Sequence, residues 1–247
     1  MRLQPLSHAD LPTPNGPMRT FLFRPEGEGK FPAVILFAEI YQMTEPIARM
    51  AAILAGQGFL VAVPDVYHEF TELGEAFEYD KAGTDRGNEL KTTKELASYD
   101  ADARAVISFL QSDDSGCSGQ IGVMGVCLGG HLAFRAAMNP EVAAGVCAYA
   151  TDIHTGTLGK GKSDDSLARI PEIQGEMMMI WGRQDPHVPR EGRRLIYDTM
   201  TDADIFFSWH EFNAEHAFMR DLGPRYDPEL AHNIYSMVFQ HFTSRLK

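Results

Sequence analysis

Three side chains of this sequence have the types and local settings of a nucleophile and its support: Cys127 in "GVCLGG", Asp185 in "GRQDPHVP" and His216 in "EHAF". The first stretch sets a cysteine between two glycines, where an apolar run gives way to a helical pattern. That is the outline of a nucleophile elbow, G-x-S-x-G, with sulfur in place of the serine oxygen. A free thiol is mostly protonated near neutral pH, so a base must take its proton or a positive neighbour must lower its pKa. His216 can serve, provided Asp185 fixes its tautomer and stabilises the imidazolium. The N–H of Leu128, at the start of the helix after the elbow, points toward negative charge developing on a substrate oxygen.

Such residues act together only if a rigid scaffold delivers them to one place. The hydrophobic pattern supplies alternating elements. Strands are expected at 18–25, 31–39, 59–65, 121–124, 142–150, 176–182 and 204–212. Helices are expected at 46–58, 92–112, 128–138, 189–200 and 228–246. Residues 68–90 are polar and carry no clear pattern, and 151–170 is a polar insertion. The strand runs are continuously apolar rather than alternating, as strands buried on both faces require. The fold class is therefore α/β, a mostly parallel sheet with helices on both faces. One domain spans 1–247, with 1–18 as an N-terminal extension. Each of the three candidates follows a strand, which places them along the edge where ligands of such sheets sit.

Composition narrows the partners. Apolar residues make up 44% of the 247, and Lys+Arg is 22 against Asp+Glu 34, a net charge of −12. That surface repels phosphate backbones and anionic lipids, so neither nucleic acid nor membrane is expected as a partner. No apolar run approaches the roughly 18 residues of a membrane span, and the N-terminus lacks the apolar core of a secretory signal. Three cysteines without C-x-x-C spacing argue against a disulfide framework or a zinc site and for a reducing, cytoplasmic setting. Cys147 reads as core and Cys117, in a Gly/Ser loop, as an incidental exposed thiol. No metal or organic cofactor is called for: the glycines of "GVCLGG" form neither G-x-G-x-x-G nor a Walker loop.

"GVCLGG", "GRQDPHVP" and "EHAF", with "FAEI" upstream, resemble the dienelactone hydrolase family of α/β-hydrolases over roughly residues 19 to 246. The order nucleophile, acid, histidine agrees with that superfamily. The resemblance implies a Cys127–His216–Asp185 triad cleaving an activated ester or lactone through a thioester. It implies that Glu39 holds the resting thiol and that the N–H of Ile40 joins that of Leu128 in an oxyanion hole. Arg220, four residues after the histidine, matches a substrate-carboxylate ligand, and Arg86 is the candidate for a second one. Tyr149, at the end of its strand, is a further candidate for the site wall.

Physical reasoning supports Glu39 independently, because a carboxylate at the end of a buried strand is costly unless paired or used. The longer insertion 151–170 is expected near the pocket mouth. The partner is thus a small ester or lactone, with or without a carboxylate, and the protein a monomer or homodimer. A thiol esterase or phosphotriesterase-like hydrolase of another substrate class is the rival enzyme, and a redox sensor or binding protein on the same fold the rival outside enzymes.

Overall fold

The computed structural model describes residues 1–247. An eight-stranded sheet runs through it: β1 (Ser7–Thr13), β2 (Gly16–Phe23), β3 (Phe31–Phe37), β4 (Leu60–Pro64), β5 (Cys117–Val126), β6 (Val142–Ala148), β7 (Glu176–Gly182) and β8 (Phe207–Phe212). Their spatial order is β1-β2-β4-β3-β5-β6-β7-β8. Only the pairings of β2 with β1 and with β4 are antiparallel.

The helices are α1 (Glu45–Gly56), α2 (Lys81–Thr93), α3 (Leu96–Gln111), α4 (Leu128–Ala136), α5 (Arg190–Asp202) and α6 (Pro228–Leu246). Successive side chains of a strand point to opposite faces, so each central strand feeds two cores. Val34, Leu36, Met124 and Val126 pack with α1 and α6 on one face. Ile35, Phe37 and Val123 pack with α3, α4 and α5 on the other. This covering of both faces explains the continuously apolar strand sequences.

The sequence expectations depart from the structure at four places. The N-terminal extension supplies β1, which pairs with β2 through a two-residue turn at Pro14–Asn15. The unassigned stretch contains α2, whose N-cap Asp80 accepts from the Gly83 N–H at 2.7 Å. The helix expected over 92–112 begins only at Leu96, because Lys94 and Glu95 adopt extended backbone. That break buries the Lys94 ammonium against Asp102 (2.9 Å) and Glu69. Finally, Cys117 opens β5 and is 3% exposed. It belongs to the core, with its sulfur accepting the Gly119 N–H at 3.3 Å.

Candidate active site

Cys127 occupies the bend between β5 and α4 with φ 57° and ψ −123°. A side-chain-bearing residue pays about 1–3 kcal/mol to sit at positive φ, so the surroundings must enforce it. They do so by close approach. A Cβ on Gly125 would lie 1.8 Å from the Gly129 carbonyl oxygen, and one on Gly129 would lie 2.0 Å from that of Phe37. Only glycines let α4 start this close to β3 and β5. The Cys127 N–H donates to the Ala148 carbonyl at 3.2 Å, and its own carbonyl accepts from Thr151 N–H at 3.2 Å. The bend is thus tied to both sides of the β6 exit.

Asp185 and His216 follow β7 and β8. The His216 Nδ1 lies 2.7 Å from Asp185 Oδ2, and Asp185 Oδ1 accepts the His187 N–H at 2.8 Å. Both side chains are buried. Burial disfavours the imidazolium of His216, but the charge of the Cys127 sulfur and the bond to Asp185 outweigh it and push its pKa up to about 10. The imidazole is fixed mechanically as well: Tyr149 and His187 each stand edge-on to it, with ring centroids 5.2 and 4.6 Å away.

Glu39, after β3, is 2% exposed. Its Oε2 accepts the Tyr79 hydroxyl at 2.9 Å and lies 3.6 Å from Arg220. Both partners converge on Oε2, so the second carboxylate oxygen keeps no protein partner, and no hydrogen bond joins Glu39 to the Cys127 sulfur. The next residue, Ile40, has no acceptor for its backbone N–H. Leu128 opens α4, so its N–H is among those a helix start leaves unpaired. Cys127, His216, Glu39 and Ile40 share one cavity of about 310 Å³ at the carboxyl ends of the parallel strands.

Residues 18–246 match the sequence model of the dienelactone hydrolase family. The chain belongs to that family. A Saccharomyces cerevisiae protein named "Putative carboxymethylenebutenolidase" is 40% identical over 241 residues, covering 93% of this chain and 88% of its own. The "Carboxymethylenebutenolidase" of Pseudomonas sp. (strain P51) is 29% identical over 204 residues, 81% of this chain and 79% of its own. The fold agrees with the crystal structure of a dienelactone hydrolase-like promiscuous phosphotriesterase from metagenomic libraries. The TM-score is 0.76 at 17% identity, with 98% of this chain and 99% of that one covered. The protein is a hydrolase of the dienelactone hydrolase type, and no helix is long and apolar enough to cross a membrane.

Two expected binding residues of this family member stand elsewhere. Arg86 faces away from the cavity into a separate groove, with Glu89 at 2.8 Å, because it lies on the outer face of α2. Tyr149 is fully buried beneath His216, held at φ 39°, and does not reach the cavity wall. Arg220 does line the cavity, its guanidinium carbon 4.4 Å from the Tyr79 ring centroid. Insertion 151–170 reaches the wall through Thr151 and Asp152, and the latter pairs with Lys91 at 2.9 Å.

Sequence reading missed Thr84, Asn88 and Lys91 of α2, together with Arg225, as cavity residues. The spacing i, i+4, i+7 of the first three puts them on one helix face, a polar stripe that apolar periodicity does not detect.

Proposed function

We propose that this hydrolase cleaves an activated carboxylic ester or lactone through a thioester on Cys127. The supporting observation is the sulfur at a strained bend on the cavity wall beside a raised-pKa imidazole that donates to a buried carboxylate. In this reading the imidazolium of His216 balances the Cys127 thiolate, which attacks the carbonyl carbon. The carbonyl π electrons move to oxygen, where the N–H groups of Leu128 and Ile40 donate to the oxyanion.

Collapse of the adduct expels an enolate or alkoxide, which takes the proton from His216. The now neutral imidazole removes a proton from water, hydroxide adds to the thioester, and the thiolate leaves with the carboxylic product. Asp185 holds the imidazole tautomer throughout. Tyr79 and Arg220 hold Oε2 of Glu39, and in this reading the proton of the thiol goes to His216.

A thiolate is itself a good leaving group, so the adduct goes forward only when the substrate offers a better one. Activated esters and lactones should turn over, while amides and simple alkyl esters should react poorly. Mass spectrometry of protein quenched during turnover of an activated aryl ester is expected to find an acyl group on Cys127. Turnover that survives Cys127→Ala would overturn the reading. A panel of lactones, aryl esters and phosphotriesters then assigns the electrophile.

A further inference from the structure

Five charged side chains other than histidine line the cavity: Glu39, Lys91, Asp152, Arg220 and Arg225. Four of them are matched. Lys91 faces Asp152 at 2.9 Å, and Arg220 faces Glu39 at 3.6 Å. Arg220 has further calls on its guanidinium, since its Nε donates to the Leu222 carbonyl at 3.3 Å and its flat face meets Tyr79. Arg225 alone has neither an ion pair nor a side-chain hydrogen bond. Arg225 is therefore the one charged side chain of the cavity wall left without an ion-pair partner, and it offers a planar, bidentate donor fork.

The loop holds that charge in place. Gly223, at φ 98°, and Pro224 form a turn closed by the Tyr226 N–H to the Gly223 carbonyl, at 3.4 Å. Two residues after Arg225, the Asp227 N–H donates to the Phe218 carbonyl at 3.0 Å, and its side chain caps α6 through Leu230 N–H. Arg225 also acts at a second cavity residue. Burial lowers the basicity of His187, and the positive charges of His216 and Arg225 add to that lowering. This puts Arg225 on the His187–His216 side of the cavity.

We propose that Arg225 is the anion subsite of this cavity, receiving a carboxylate carried by the ester or lactone, while Arg220 remains with Glu39. The assignment rests on the thioester reading for which atom is attacked, but the binding preference it predicts can be measured without turnover. The matched probes are mono-p-nitrophenyl glutarate, which carries a free carboxylate, and its methyl ester, which does not.

Calorimetric binding of both to the Cys127→Ala chain is expected to favour the anionic probe. Adding Arg225→Gln should shrink that preference by about tenfold or more, the scale of a charge-assisted hydrogen bond. Arg225→Lys should keep part of it, and Arg86→Gln should leave it intact. With Cys127 restored, the ratio of kcat/KM for the two esters should change in the same order. Equal binding of the two probes, or a preference that survives Arg225→Gln and vanishes in Arg220→Gln, would overturn the proposal. If no acyl group forms on Cys127, the mechanism falls while the probe preference still decides the role of Arg225.

Discussion

Burial alone would hold His216 below the ordinary imidazole value, and the Cys127 sulfur does most to reverse this. Cys127→Ala should therefore lower the His216 pKa from about 10, visible in a histidine-selective NMR titration. A His216 that titrates unchanged in that variant would mean the sulfur does not set its charge. The same shift has a stability consequence. The folded-state value is raised, so the protonated form favours the fold; the contribution is complete below about pH 6.5 and is lost as pH rises through about 10. Urea unfolding across that window should show a decline in the intact protein that Cys127→Ala lacks. At this scale the sequence was most informative for Cys127, Asp185 and His216, because each stands in a short motif directly after a strand. Arg86 and Tyr149 were misplaced because charge and position along the chain do not say which way a side chain turns. Arg225 has no motif around it, and only the folded loop brings it to the cavity.

The elements around the bend have little room to adjust. Gly129→Ala would press a methyl group into the Phe37 carbonyl at 2.0 Å, a backbone atom that cannot rotate away. A loss of about 3 kcal/mol or more is expected in urea unfolding, along with loss of activity. Loss of activity without loss of stability would show instead that the bend relaxes. The α2 helix illustrates why elements go unseen. Its buried residues are Gly83, Gly87 and Leu90, and the two glycines fit because the chain runs against them; a Cβ on Gly87 would lie 2.6 Å from the Ile40 carbonyl. A helix that packs through glycines shows no apolar stripe. The polar face beside it carries Lys91, whose charge outweighs the effect of burial and keeps the Asp152 carboxyl below its usual range. Lys91→Met should raise the Asp152 pKa and cost about 1–3 kcal/mol by leaving a half-buried carboxylate unpaired. An unchanged unfolding midpoint would show the pair to be dispensable.

Taken whole, the molecule carries a net charge of −12 around a cavity that holds an unmatched arginine. Long-range repulsion slows the approach of an anionic ester and is screened within roughly 10 Å at 0.1 M salt, whereas a contact inside the cavity is screened less. For such an ester kcat/KM should therefore rise on adding salt from low ionic strength, while that of a neutral ester stays level. A fall with salt would mean that local attraction dominates the encounter. The parallel order of the sheet was legible because strands such as 31–37 and 60–64 are apolar throughout. The antiparallel β1 was not, since "SHADLPT" is polar and pairs at the sheet edge, although the Asn15–Gly16 pair beside it is a hairpin signal.

The three thiols differ in reach. Cys117 and Cys147 are enclosed in the cores, 3% and 0% exposed, while Cys127 opens onto the cavity. A maleimide or iodoacetamide reagent should thus consume one fast equivalent per chain, giving a direct titre of the cavity thiol in any preparation. The same asymmetry makes peroxide selective among the thiols: over-oxidation to sulfinate should fall on that single position, and under the proposed thioester mechanism it would end turnover.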